Sequence, residues 1–258
     1  MTELNEKFEF EQDGKTYSLY DLPAGFVIKD DLDLDEKDLT ELPDLSDVVV
    51  EGNFRCSYNH LTSLKGAPKE VSGNFYCYNN QLTTLEGAPK EVSGCFYCYN
   101  NQLTTLDGAP QKVGGDFDCS NNELTSLEDA PQKVDGSFNC SKNQLTTLDG
   151  APKEVSGNFY CYNNQLTSLF KLPQMKEDKK IFCDEALGQE YGFSDSSNSG
   201  INSGDLFKSS RYQNEVKIDE LRQKKHQEDI EKRTKTTEKV QSAFDAWLKK
   251  NSMNPPEK

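Results

Sequence analysis

The chain has 258 residues and a formal net charge of −15, and only 34% of its residues are hydrophobic, against about 45–50% in ordinary globular domains. This content is too low for one large core but suits stacked coils that each bury a single stripe. No stretch approaches the ~20 consecutive apolar residues of a membrane helix, and residues 1–12 lack the apolar region of a signal peptide. We therefore expect a cytoplasmic protein with no membrane partner.

The negative charge is concentrated near the N-terminus. Residues 1–50 carry 15 acids and 4 bases, residues 51–173 carry 13 and 9, and residues 174–258 carry 16 of each. Because an acidic surface repels phosphate backbones, we expect no direct binding of nucleic acid. One alternative is an inhibitor that mimics nucleic acid through the acidic run that contains Asp30, Asp31, Asp33 and Asp35.

The first predicted element is an N-terminal cap over residues 1–31. Residues 7–19 alternate between apolar and polar types around Asp13-Gly14, a dipeptide typical of β-hairpin turns. Because a stack of coils needs covered ends, we expect this hairpin to close the N-terminal end.

A solenoid is predicted over residues 32–173, with one degenerate coil followed by six strict repeats. The strict repeats contain Phe-x-Cys-x-x-Asn-x-Leu-Thr-x-Leu, with their cysteines spaced 21 residues apart at positions 56, 77, 98, 119, 140 and 161. A fixed period of this length is typical of stacked repeats. Phe and Cys alternate with variable residues, which predicts a strand with one buried face.

The repeated cysteines are expected to form a column of buried, reduced thiols. Equivalent side chains on stacked strands lie about 4.8 Å apart and point the same way, which disfavours a disulfide. The repeated asparagine is expected to hydrogen-bond the backbone of its own coil and a neighbouring one. A proline in each repeat leaves little room for helices on the back, and glycines such as Gly73 and Gly94 are expected to permit turns closed to other residues.

These repeats resemble leucine-rich repeats, whose Leu-x-x-Leu-x-Leu-x-x-Asn-x-Leu core appears here with Phe and Cys at the two strand positions. The short period and the Leu-Thr-x-Leu-x-Gly-Ala-Pro pattern are similar to repeats of bacterial effectors and of predicted bacterial and phage proteins. The leading apolar residue departs from that family, because it is a valine four positions before the Phe. The resemblance implies a β-rich solenoid with a parallel concave sheet and a mostly extended convex side.

The outward positions of the concave strands are the predicted partner-binding surface. Six of them are tyrosines, and tyrosine combines a large contact area with only two side-chain torsions to fix. The alternative is that tyrosine simply favours strands and its stacked rings protect the sheet. The candidate residues are Arg55, Tyr76, Tyr78, Tyr97, Tyr99, Asp116, Asp118, Asn139, Tyr160 and Tyr162.

Three further segments are predicted after the solenoid: a C-terminal cap over 174–191, a flexible linker over the Ser, Asn and Gly-rich residues 192–210, and a charged helical arm over 211–251. Near the end of the arm, Val240, Phe244, Trp247 and Leu248 form one apolar stripe on the helix. Such a stripe is typical of a helix that docks into a groove of a second partner, and the alternatives are folding back on the solenoid or pairing with a second copy.

No catalytic motif, phosphate-binding loop or metal-ligand spacing was found. The effector resemblance invites a comparison of Cys183 with the cysteine of ubiquitin-ligase domains, but the ~75 residues after the repeats are too few and too polar for such a domain. We therefore expect a non-catalytic adaptor without cofactor or metal, which binds one protein through the concave face and a second protein, or itself, through the arm. The alternative is a structural spacer whose function depends on residues 240–250.

Overall fold

The structure, a computed structural model, describes residues 8–194, 196 and 199–252, with the backbone alone at 236, 240, 243, 244 and 246–252. The chain divides into two units, one ending at Tyr212 and the other beginning at Gln213. The described strands are β1 (Glu9–Gln12), β2 (Lys15–Ser18), β3 (Val27–Ile28), β4 (Leu32–Asp33), β5 (Val49–Val50), β6 (Phe54–Arg55), β7 (Glu70–Val71), β8 (Phe75–Tyr76), β9 (Glu91–Val92), β10 (Phe96–Tyr97), β11 (Lys112–Val113), β12 (Phe117–Asp118), β13 (Lys133–Val134), β14 (Phe138–Asn139), β15 (Glu154–Val155), β16 (Phe159–Tyr160), β17 (Lys180–Phe182) and β18 (Ile201–Asn202). The described helices are α1 (Glu185–Glu190), α2 (Ser203–Lys208) and α3 (Ser210–Ser252).

The N-terminal hairpin is confirmed. Strands β1 and β2 pair antiparallel, and Asp13 and Gly14 between them have φ angles of 53° and 72°, as a tight hairpin turn requires. The side chain of Gln12 joins the hairpin to the first coil, because it donates to the carbonyl of Val27 (3.0 Å) and accepts from the N–H of Lys29 (2.8 Å).

The solenoid is confirmed as a stack of coils of about 21 residues. Among the described residues, seven coils each add one strand to a seven-stranded sheet and one to a nine-stranded sheet, which β17 and β18 complete. Equivalent residues pair in parallel register, as Phe96 does with Phe75 and Phe117. The second sheet was not predicted; it is built around the valine that lies four residues before each Phe, for example Val92 paired with Val71.

The stack is longer than the predicted range of 32–173. It begins with β3, which pairs in parallel with β5. At the other end β17 pairs in parallel with β16, so that Ile181 continues the Phe column after Phe159. Both additional strands depart from the repeat pattern, which is why the sequence did not indicate them.

The core is a set of parallel columns that run along the stack. The repeat Phe rings lie 5.0–5.5 Å apart between centroids, and the repeat Phe and Cys residues have no exposed surface. All eight cysteines are free, and Cys183 extends the buried thiol column by one coil. Burial raises the pKa of these column thiols.

The predicted asparagine ladder is confirmed. Asn122 donates to the carbonyls of Cys119 (3.0 Å) in its own coil and Cys98 (3.1 Å) in the preceding coil, and its Oδ1 accepts the N–H of Leu103 (3.0 Å). Three backbone groups that have left the sheet are thereby satisfied by one buried amide.

The glycines at the corner between the two sheets have a different role from the predicted one. Gly73 does not adopt a positive φ, but a Cβ there would lie only 2.6 Å from the carbonyl oxygen of Gly52 in the preceding coil. The corner therefore requires glycine because adjacent coils approach closely, not because the turn is closed to other residues.

The segment predicted as a flexible linker, residues 192–210, contains regular structure instead. Strand β18 pairs antiparallel with β17, and the side chain of Asn202 caps α2 by accepting the N–H of Gly204 (3.0 Å). Ile201 and Leu206 are at most 2% exposed. These two buried residues pack residues 201–208 against the rest of the fold. The polar composition of residues 192–210 gave no indication of this structure.

The helical arm is α3, which extends over 43 residues and agrees with the predicted range to within one residue at each end. The side chains of Val240, Phe244, Trp247 and Leu248 lie outside the described residues, so the predicted docking stripe stays a prediction. None of the described helices is both long and apolar enough to span a membrane.

Candidate functional site

Four of the candidate tyrosines form two ring stacks on the outward face of the nine-stranded sheet. Tyr76 stacks on Tyr97 with centroids 5.4 Å apart, and Tyr78 stacks on Tyr99 at 4.5 Å with their planes 6° apart. Within each coil the two rings meet edge to face. This tyrosine block, comprising Tyr76, Tyr78, Tyr97 and Tyr99, presents half-buried rings held by one another.

Two more side chains complete the N-terminal side of the block. The guanidinium of Arg55 lies over the Tyr76 ring, 4.3 Å from its centroid, a cation–π geometry. Tyr58, which is 52% exposed, packs its ring edge to face against Tyr78 at 5.3 Å. The sequence analysis missed Tyr58 because it follows the strand and has a positive φ of 55°.

A second aromatic group lies further along the same sheet. Tyr160 stacks on Phe182 with centroids 4.6 Å apart and planes 10° apart, and Tyr162 is half-buried in the same coil as Tyr160. Phe182 was missed because it belongs to β17, beyond the repeats. The two aromatic groups are therefore separate, and the structure does not join the six tyrosines into one surface.

Two coils with small polar side chains separate the aromatic groups. The strand register places Asp118 next to Tyr97, Asn139 next to Asp118, and Tyr160 next to Asn139. Three strand spacings of about 4.8 Å put Tyr97 and Tyr160 roughly 14 Å apart along the stack. We call this interval, with Asp118, Ser120, Asn139 and Ser141, the polar gap.

Asp118 is the charged group of the polar gap. Its carboxylate accepts the N–H of Ser120 (2.9 Å) and a side-chain N–H of Asn139 (3.0 Å). Burial raises its pKa, against the opposing effect of these hydrogen bonds. None of the ion pairs between described residues involves Asp118. The carboxylate is thus partly desolvated without a cation beside it.

The position just before each Phe forms a ladder that the sequence analysis did not anticipate. At this position each side chain accepts the backbone N–H of the equivalent residue in the next coil, for example Asn74 from Cys95 (2.7 Å) and Asp116 from Ser137 (2.6 Å). The ladder consists of Asp31, Asn53, Asn74, Cys95, Asp116, Ser137 and Asn158. All of these side chains are short and carry an acceptor atom, so the variation at this position follows a hydrogen-bonding requirement.

The ladder also orients the tyrosine rings. Asn74 donates to the hydroxyl of Tyr76 (2.9 Å), and Asn158 donates to that of Tyr160 (3.3 Å). Burial, with the charge of neighbouring groups, raises the pKa of Tyr99 to about 12. Tyr99 is therefore neutral at physiological pH. The hydrogen bonds from Asn74 and Asn158 hold the Tyr76 and Tyr160 rings in place, which lowers the entropy lost when a ligand binds.

Three of the four acids proposed for nucleic-acid mimicry are engaged by the fold. Asp33 accepts the backbone N–H of Asp35 (2.9 Å). Asp31 accepts the backbone and side-chain N–H groups of Asn53, which lower its pKa. Asp35 accepts the N–H of Ser57 (2.5 Å), while burial raises its pKa. The Asp31 and Asp35 side chains each join two neighbouring coils through these hydrogen bonds.

The structure shows no candidate metal centre among the described residues. They contain no group of three His, Cys, Asp or Glu side chains placed to hold a metal ion. Cys183 is buried in the thiol column, and burial raises its pKa, whereas a reactive cysteine needs a lowered pKa and access. No protein-family model matches the chain, and no curated protein matches it significantly.

Proposed function

We propose that this chain is a non-catalytic protein-binding module of leucine-rich-repeat type, which recognises a protein partner through the outward face of its nine-stranded sheet. The observation that carries the proposal is the tyrosine block, in which four half-buried rings stack on one another and Asn74 of the ladder donates a hydrogen bond to one of them, Tyr76. Rigid tyrosine side chains are among the residues on which binding energy is most often concentrated.

The alternative is that the rings of the tyrosine block only protect the sheet. The repeats themselves argue against it, because the coil that contains β14 has Asn139 and Ser141 at the positions of Tyr97 and Tyr99 and stacks with the same register. The fold therefore does not require tyrosine at these positions.

The same comparison supplies a test with little risk to the fold. Tyr97→Asn and Tyr99→Ser introduce the residues that the fifth strict repeat already carries at these positions. A displayed library of random peptides is selected on the full chain, and the affinities of enriched peptides are measured by fluorescence anisotropy. We expect the double variant to weaken binding at least tenfold, which corresponds to about 1.4 kcal/mol.

The matched control is Tyr20→Ser, which removes a tyrosine 51% exposed on the N-terminal cap. It should leave the affinities within twofold of the parent chain. Enriched peptides that bind both variants as tightly as the parent chain would contradict the proposal.

The proposal for the arm is that it engages a second partner or another copy of itself. Sedimentation equilibrium of the full chain and of a truncation ending at Tyr212 separates the two possibilities. If the full chain associates and the truncation does not, the arm pairs with a second copy of itself. If both proteins are monomeric, the proposal of a second partner remains.

A further inference from the structure

We infer that the polar gap recognises an arginine side chain of an extended segment in the partner protein, with the guanidinium lying on the Tyr97 ring beside the Asp118 carboxylate. This inference rests on the proposed function, since it specifies the chemistry of the partner that the same face binds.

The tyrosine stack already holds one guanidinium at its opposite end. Arg55 covers the Tyr76 ring at 4.3 Å, and Tyr76 in turn stacks on Tyr97. The strand register places Asp118 on the other side of Tyr97, where a further ring would continue the stack. Tyr97 therefore ends the stack, with a short carboxylate side chain in place of the next ring.

Charge complementarity determines the kind of group that fits this position. Guanidinium groups stack on aromatic rings and pair with carboxylates, and both features lie on neighbouring strands at the edge of the polar gap. Asp118 is not paired with any cation among the described residues, and its two hydrogen bonds leave acceptor sites on the carboxylate. Burial by the fold has already removed part of its water, so a partner cation meets a lower desolvation cost than at an exposed carboxylate.

The dimensions of the polar gap favour an extended segment. Tyr97 and Tyr160 are roughly 14 Å apart, which leaves roughly 10 Å between them after the thickness of the rings is subtracted. A helix with its side chains is about 10–12 Å wide and would fill this space completely. An extended chain fits, and its alternating side chains can reach the carboxylate and the Asn139 amide in turn.

The test uses the full chain and two labelled probes, acetyl-(Ser-Arg)4-amide and the same peptide with citrulline in place of arginine. Citrulline keeps the shape of the side chain but removes its charge. By anisotropy at 150 mM salt we expect the arginine peptide to bind at least tenfold more tightly than the citrulline peptide.

The key variant is Asp118→Asn, for which the next coil provides a precedent. Asn139 occupies the equivalent position and its Oδ1 accepts the N–H of Ser141 (3.1 Å), just as Asp118 accepts that of Ser120. We expect this variant to reduce the preference for arginine to less than threefold. Asp107→Asn, which makes the same charge change at an exposed position outside the strands, should leave the preference within twofold of the parent chain.

Equal binding of the two peptides to the parent chain would overturn the inference, as would an equal loss in the Asp107→Asn and Asp118→Asn variants, because the attraction would then depend on net charge alone. The library selection tests the proposed function separately from the arginine inference. If library selection yields peptides without arginine that still depend on Tyr97 and Tyr99, the proposed function stands and the arginine inference is wrong. Binding of neutral oligosaccharides that depends on Asp118 would also overturn it.

Discussion

The thiol of Cys95 accepts a hydrogen bond from the backbone N–H of Asp116 at 3.2 Å. Cys95 lies outside the buried thiol column, and its sequence position gave no reason for a cysteine. In the ladder that precedes each Phe, sulfur performs the function that an amide or carboxylate oxygen performs in the neighbouring coils. The position therefore selects for a short acceptor and tolerates several chemical types.

This relationship predicts the effect of removing the acceptor. Cys95→Val should lower the free energy of unfolding by about 1–2 kcal/mol, because the N–H of Asp116 loses its partner. Cys95→Asn, which copies Asn74, should leave the stability within about 0.5 kcal/mol. Urea unfolding followed by circular dichroism measures both, and equal stability of the Val and Asn variants would show that the ladder contributes little.

The asparagine ladder predicts a larger loss. Asn122→Ala leaves the carbonyls of Cys98 and Cys119 and the N–H of Leu103 without their buried partner, so we expect a loss of at least about 3 kcal/mol. Gln102→Ala alters an exposed side chain one coil earlier and should change stability by less than about 0.5 kcal/mol. Similar midpoints of urea unfolding for the two variants would refute the ladder's role.

The corner between the sheets predicts sensitivity to a single methyl group. In Gly73→Ala the new Cβ meets the backbone of Gly52, which cannot rotate away, and the resulting separation of coils should cost about 1–3 kcal/mol. Ser93→Ala, at an exposed position beside the next corner, is the control and should be nearly neutral. Thermal unfolding of the two variants tests the prediction, and a Gly73→Ala chain as stable as its parent would exclude the close approach.

The thiol column predicts a loss of stability at alkaline pH. Burial raises the pKa of thiols such as Cys98 and Cys119 above the ordinary value of about 8.5. The folded chain therefore retains these protons while the unfolded chain releases them, so stability is complete below that value and falls as pH rises. The loss is roughly 1.4 kcal/mol for each column thiol and each pH unit above it.

Urea unfolding at pH 7.5, 8.5 and 9.5 under reducing conditions measures this loss. Cys119→Ala should reduce the number of protons linked to unfolding by one, although it also lowers stability at every pH. Ser93→Ala, at an exposed position and without change to any ionisable group, should leave the pH dependence unchanged. A parent chain as stable at pH 9.5 as at pH 7.5 would mean that the column thiols are accessible to water.

The C-terminal segments predict two different truncation results. A chain ending at Tyr212 retains Ile201 and Leu206, and should unfold with the same midpoint as the full chain. A chain ending at Gly200 loses both buried residues and should be less stable by about 2–5 kcal/mol. Equal midpoints for the two truncations would restore the flexible linker as the better description of residues 201–208.

Features that recur in every coil were predictable from the sequence. The Phe, Cys and Asn columns follow from residues repeated in phase, and the hairpin follows from Asp13-Gly14. The second sheet was missed because each of its strands, such as Glu91–Val92, has only one buried residue. One residue shows no alternation, whereas Phe-x-Cys does. The linker was misjudged because Ile201 and Leu206 are isolated in a polar stretch, and only tertiary packing shows that they are buried.

The candidate site was predictable in part. The alternation that exposes Tyr76 and Tyr97 is a local property of the strands, but which rings stack depends on how many coils separate them. Tyr58 and Phe182 lie just outside the repeated strand positions and enter the aromatic groups only through stacking. Asp116 was predicted as a binding residue from its outward position, and the structure gives its carboxylate a backbone partner in the next coil.

Because every coil offers the same backbone partners to the next, whole coils are interchangeable units of length. Duplicating one 21-residue unit between Tyr97 and Tyr160 would widen the polar gap by one strand spacing, about 4.8 Å, and deleting one would narrow it by the same amount. Point substitution adjusts the chemistry of the gap, but its width changes only in whole steps. Recombination between repeats in the gene can therefore change the width of this surface in steps of one coil, and so match it to partners of different size.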